Sequence, residues 1–110
     1  IWKYNIQEME KVKILRYGNG GKYKWHTDCG SRETSLRKLT AIVQLSDETK
    51  YEGGNLEFGI TDKSGKNNYT APRTRGSITI FPAFLSHRVT PITKGKRYSL
   101  ITWMLGDCFV

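Results

Sequence analysis

The chain holds two histidines, His26 and His87, and the first stands two residues from an acid in His26-Thr27-Asp28. On an extended strand, residues i and i+2 project from the same face, so one imidazole and one carboxylate can reach the same point. His87, arriving on a distant strand, would complete a facial set of two nitrogens and one oxygen. That set leaves three positions of an octahedral metal open, the geometry of non-haem Fe(II) oxygen chemistry. His-x-Asp alone is a weak pattern, and each histidine taken singly reads first as a structural or surface residue.

Arg97 strengthens the pattern. It lies ten residues after His87 and opens the apolar stretch Arg97–Leu105. By strand parity Arg97, Ser99, Ile101 and Trp103 share one face, while Tyr98, Leu100, Thr102 and Met104 share the other. A guanidinium on an otherwise apolar face is costly without an anionic partner. A carboxylate suits its planar fork, and Ser99 offers a further hydroxyl. The alternative is an internal salt bridge, for instance to Glu57.

The elements that must position these residues read as strands. Short alternating or continuously apolar runs recur between Gly, Pro, Asn and Asp clusters, and amphipathic helical periodicity is nearly absent. Strands are expected near residues 12–17, 22–26, 39–45, 55–60, 77–81, 87–90 and 96–105, separated by turn chemistry such as Gly18-Asn19-Gly20-Gly21 and Gly53-Gly54. About seven strands at this spacing predict an all-β fold, a sandwich or jelly roll with few or no helices. Thr61–Pro72 is polar and reads as a mobile loop at the mouth of a site. Ile1–Met9 fits neither period and stays open between strand and helix. Repeats and inner boundaries are not seen, so residues 1–110 are expected to form a single domain.

Composition narrows the setting. With 37% hydrophobic residues over 110 positions the chain can fill one core, which argues against disorder. The apolar runs fall well short of the ~20 residues of a membrane helix, and no secretory leader is read. Cys29 and Cys108 cannot make a disulfide framework and are read as reduced thiols, which points to a cytoplasmic setting. The net charge is +8, unevenly placed: residues 63–106 carry eight basic residues and no acid, whereas residues 28–62 hold seven of the ten acids. Such a surface suits nucleic acid, an anionic small molecule or an acidic partner, or is simply a solvated basic face.

Together these residues match a family pattern. The run Arg16-Tyr17-Gly18-Asn19-Gly20-Gly21-Lys22-Tyr23-Lys24-Trp25-His26-Thr27-Asp28, then Tyr51-Glu52-Gly53-Gly54-Asn55-Leu56, Phe81-Pro82, His87-Arg88-Val89-Thr90-Pro91, Gly95-Lys96-Arg97-Tyr98-Ser99 and Trp103 stand in that family's order. Over about residues 12–105 the chain resembles the iron(II)/2-oxoglutarate-dependent oxygenases, in particular their prolyl-4-hydroxylase-like branch. The resemblance implies a double-stranded β-helix core, a jelly roll.

It further implies His26, Asp28 and His87 as Fe(II) ligands, and Arg97 as the partner of the far carboxylate of 2-oxoglutarate. Tyr17 resembles a co-substrate-contacting tyrosine, and Trp103 an aromatic residue lining the pocket or, alternatively, packing in the core. Gln44 stands where relatives often carry a second co-substrate-binding tyrosine, and would substitute as a donor together with Ser99. The implied activity is hydroxylation of a C–H bond coupled to conversion of 2-oxoglutarate and O2 to succinate and CO2, with ascorbate as a supporting reductant. The branch points to a prolyl residue in a protein or peptide as substrate, and the basic charge to an acidic one, with no membrane partner.

Oxidative demethylation of nucleic acid is disfavoured, because the DNA-repair members of the family carry a second arginine where this chain has Trp103. Oxygenation of another residue or small molecule, and a non-catalytic jelly-roll binding module, stay open as alternatives. Cys29, next to Asp28, reads as an inert small residue. Members of the branch commonly place helices ahead of the core, so a chain starting almost at the first core strand is expected to be a minimal or trimmed form. With Arg97 assigned, the other seven cations of residues 63–106 are expected to form a basic rim.

Overall fold

A computed structural model describes residues 6–30, 32–61 and 67–107. Eleven strands appear in it: β1 (Ile6–Met9), β2 (Lys13–Tyr17), β3 (Tyr23–His26), β4 (Arg37–Gln44), β5 (Tyr51–Gly53), β6 (Leu56–Thr61), β7 (Asn67–Thr70), β8 (Ile78–Pro82), β9 (His87–Val89), β10 (Ile92–Gly95) and β11 (Arg97–Gly106). Among the described residues the helical segments are two short 3-10 turns, Arg32–Leu36 and Glu48–Lys50. The second is capped by Asp47, whose carboxylate accepts from the Thr49 amide at 2.9 Å.

All pairings are antiparallel. One sheet runs β1-β11-β4-β8, with β2 also paired to β11; a second runs β3-β9-β6-β7; β5 and β10 pair alone. This is the expected all-β jelly roll. The core fills the space between the sheets, with Ile42, Leu56, Phe58, Phe81, Val89 and Ile101 in one buried cluster. Phe58 meets Phe81 edge-on at 4.7 Å, and Phe81 meets the His87 ring at 4.7 Å. Core packing and the site therefore share a wall.

Strand β11 organises the larger sheet. It is flanked by β2 and β4, which place Tyr17 beside Arg97 and set both Leu15 and Gln44 beside Ser99. The expected face of Arg97, Ser99, Ile101 and Trp103 is buried and Tyr98 on the other face is exposed, but Thr102 of that second face is buried as well. Gly53 and Gly54, both at positive φ, turn β5 into β6. A Cβ on Gly54 would collide with Ile92 Cδ1 and come within 3.1 Å of Arg97 Cδ, so the missing side chain is space that the arginine uses.

Two expectations change. Within the stretch read as a loop, residues 67–70 form β7 and pair with β6, because cross-strand pairing supplies what polar side chains do not advertise. Residues 62–66 lie outside the described set. Within the segment left open, residues 6–9 form β1 against the last part of β11.

Candidate active site

Strand β3 ends on His26 and β9 begins on His87, and the two residues are direct partners across the β3–β9 ladder. Their ring centroids stand 4.2 Å apart. Asp28 follows β3 on an irregular segment tied down by its own amide, which donates to Ala83 carbonyl at 2.9 Å. The result is a tight set: Nε2 of His26 and Nε2 of His87 each lie 3.3 Å from Asp28 Oδ1. One ligand-type atom from each of the three falls within 4.8 Å of the others.

Hydrogen bonds fix the orientation of all three side chains. His26 Nδ1 contacts the Lys24 carbonyl at 2.6 Å and His87 Nδ1 the Leu85 carbonyl at 2.8 Å. A carbonyl only accepts, so each Nδ1 carries the proton and each Nε2 turns its lone pair to the common point. Asp28 Oδ2 accepts from the Thr40 hydroxyl at 2.6 Å, leaving Oδ1 for the same point. Thr40, in the middle of β4, is fully buried.

The electrostatics match the ligand forms a metal needs. Burial pushes the His26 pKa down, only partly offset by its bond to the Lys24 carbonyl, so the ring is neutral at pH 7. Burial pushes Asp28 up, but its contacts with His87 and Thr40 outweigh it and hold the carboxyl below its ordinary value. The donor set of two imidazoles and one carboxylate, with an open side, fits Fe(II).

The triad sits on the wall of a cavity of about 490 Å³. Of the residues picked from the sequence, His26, Asp28, His87, Arg97, Tyr17, Ser99 and Trp103 all line it. Gln44 is buried beside Ser99, its direct partner across β4 and β11, and is not among the residues that line the cavity. Cys29 lines the cavity half-buried as a free thiol, and Cys108 lies outside the described residues.

At the Arg97 end the guanidinium is 1% exposed, yet its Nε and one terminal nitrogen have no hydrogen-bond partner among the described residues. Burial lowers its pKa, while the neighbouring phenols of Tyr17 and Tyr51 act in the opposite sense. Its carbon lies 5.2 Å from the Tyr17 ring centroid. Burial in turn raises the Tyr17 phenol, despite the arginine beside it, so the hydroxyl stays protonated and can donate. The salt bridge considered for Arg97 does not form: Glu57 pairs instead with Arg88 at 2.7 Å on the outer side of the smaller sheet. An orphaned buried fork beside a protonated phenol and the Ser99 hydroxyl fits the carboxylate of a small diacid.

Several contributors escaped the sequence reading. Thr40 orients Asp28, Tyr23 stacks on the His26 ring at 3.8 Å, and Tyr51 packs beside Arg97. Arg37 lies over the Trp103 ring at 3.7 Å and donates to the Asp28 carbonyl at 3.2 Å. The Trp103 indole N–H makes no hydrogen bond of good geometry, although it lies near enough to Asp28 to add to the stabilisation of the carboxylate. The expected basic rim is also revised. Arg88 is spent on Glu57, and Arg73 donates to the Gly53 and Tyr51 carbonyls and to Asn55.

The chain is similar in sequence and fold to known proteins. The family model of the 2OG-Fe(II) oxygenase superfamily matches residues 12–105. A PKHD-type hydroxylase of Synechococcus sp. strain CC9605 is 29% identical over 99 residues, 90% of this chain and 43% of the relative. The chain thus spans less than half the length of that relative. Among solved structures, a Pseudomonas putida prolyl-4-hydroxylase superposes with a TM-score of 0.77 at 23% identity, covering 93% of this chain and 55% of that one. A Trichoplax adhaerens prolyl hydroxylase, in complex with a hypoxia inducible factor oxygen degradation domain peptide fragment, gives 0.75 at 19% identity, covering 93% and 46%. Both share the jelly-roll fold. From the match over residues 12–105, the chain belongs to the 2OG-Fe(II) oxygenase superfamily.

Proposed function

We propose that this chain is the catalytic core of an Fe(II)- and 2-oxoglutarate-dependent dioxygenase that hydroxylates a C–H bond, with a prolyl residue of a protein or peptide as substrate. One observation carries the reading: a single cavity has a His-Asp-His set on its wall and, at one end, a buried arginine with two nitrogens unpartnered among the described residues. The family names the metal and the diacid that suit those two features. The peptide substrate draws on the likeness to prolyl hydroxylases, one of them bound to a peptide.

His26, Asp28 and His87 would hold the iron, and Arg97 with Tyr17 and Ser99 would hold 2-oxoglutarate. Together these two supply the oxygen-activating chemistry, in which 2-oxoglutarate is oxidatively decarboxylated to succinate and CO2 as the substrate gains a hydroxyl. The protein's share is placement. The Lys24 and Leu85 carbonyls and the Thr40 hydroxyl fix the ligand atoms before anything binds. Arg97 anchors the diacid by its far carboxylate and so sets which end reaches the metal side. Phe58 and Phe81 keep water from the back of His87.

The test is Fe(II)-dependent release of succinate, followed by mass spectrometry of proline peptides against alanine controls. A product heavier by one oxygen atom, formed by the parent and absent in His87→Ala, is expected. Full turnover in that variant would refute the assignment.

A further inference from the structure

We infer that Lys13 selects for a carboxylate on the substrate, beside the carbon that is to be hydroxylated; this rests on the hydroxylase reading above. The cavity wall follows β11 from Arg97 to Trp103, roughly 20 Å of strand. A five-carbon diacid anchored at Arg97 is much shorter, so the Trp103 end is left to the substrate.

That end carries two cations over one indole. Arg37 lies 3.7 Å from the Trp103 ring centroid and Lys13 Nζ lies 5.5 Å from it. Their electrostatic situations differ. Arg37 is fully engaged: its Nε and a terminal nitrogen donate to the two Glu10 oxygens at 2.6 and 3.1 Å, and the other donates to the Asp28 carbonyl. It is a fixed, neutralised part of the wall. Lys13 belongs to the row Lys13, Leu15, Tyr17 that lines the cavity from β2, and no carboxylate among the described residues pairs with it.

Among the described residues the only acid lining the cavity is Asp28, whose Oδ2 is held by Thr40 and whose Oδ1 is turned to the point shared with the two imidazoles. The substrate end is therefore a site of uncompensated positive charge next to an aromatic plane. A group that is flat or apolar against Trp103 and anionic toward Lys13 complements it. The shared chemistry is a carboxylate, supplied by an acidic side chain flanking the target residue in a peptide or by the α-carboxylate of a small molecule.

The experiment uses the Fe(II)-loaded chain with 2-oxoglutarate and blocked proline peptides flanked by glutamate or by glutamine, with N-acetylproline and its amide as the small-molecule arm. Lys13→Met keeps an apolar stem over Trp103 and removes the charge; Lys94→Met removes a charge on β10 away from the cavity. The parent is expected to favour the carboxylate member of one pair by about three- to fivefold in KM, the size of a partly exposed ion pair. That preference weakens with salt, disappears in Lys13→Met and persists in Lys94→Met, while the 2-oxoglutarate requirement of Lys13→Met stays as in the parent. The pair that shows it identifies the source of the carboxylate. Fluorescence titration of the same compounds reads the preference without turnover, so a failure of the hydroxylase reading is distinguishable from a failure at Lys13. A parent with no preference in either pair, or a preference surviving in Lys13→Met, overturns the inference.

Discussion

The two ends of the cavity are built on opposite principles. At the metal end each contributing side chain is internally satisfied, with both Nδ1 atoms on backbone carbonyls and one Asp28 oxygen on Thr40. What remains is one aimed atom per residue. At the Arg97 end a permanent cation is buried with two of its nitrogens unmatched. The first end is pre-organised to take a cation at little reorganisation cost; the second is energetically incomplete until an anion arrives. A ligand that bridges the ends would complete both, and under the proposed function that complementarity would hold a metal and a diacid in a fixed mutual orientation within one small domain.

The sharpest break in the comparison is at the metal end. Asp28→Ala or His87→Ala removes one of the three proposed ligands, and metal content measured after desalting should fall to background with 2-oxoglutarate turnover lost ~100-fold. Arg97→Met should do the converse, weakening 2-oxoglutarate by ~100-fold while metal content stays at the parent level. Because the replaced cation is unpaired, the melting temperature of that variant without 2-oxoglutarate should be no lower than the parent's. Thr40→Val keeps shape but frees Asp28 Oδ2, and metal affinity should drop by about tenfold, read by competition with a chelating dye. The smallest effect is Gly54→Ala, whose Cβ meets Ile92 and crowds Arg97 at a positive φ. It should cost about 1–2 kcal/mol in denaturant titration, and disturb 2-oxoglutarate affinity before metal affinity.

What the sequence made legible follows from where the information lies. The burial of Arg97, Ser99, Ile101 and Trp103 on one face is written in the alternation of a single long strand, whereas Asp28 meets His26 from an irregular segment past the end of β3 and not as its i+2 neighbour on one strand. Thr40 and Arg37 act on Asp28 and Trp103 across strands, and nothing local marks a threonine in Leu39-Thr40-Ala41 as the residue that turns a carboxylate. The preference of Glu57 for Arg88 over Arg97 depends on which face of β6 it occupies, a matter of register rather than composition. Strand β7 was missed because Asn67 and Asn68 advertise a turn, and only pairing with β6 makes them a strand. Charge counting failed similarly: Lys13, from outside the acid-free stretch, faces the cavity, whereas Arg73 and Arg88 are engaged elsewhere.

The central claim, one cavity whose two ends are filled by different halves of one ligand set, is tested most directly by calorimetric titration of 2-oxoglutarate into the Fe(II)-loaded protein without O2. One-to-one binding is expected in the parent, weakened by ~100-fold in Arg97→Met with iron retained, and reduced in His87→Ala together with loss of iron. Equal affinity in the parent and Arg97→Met would contradict it.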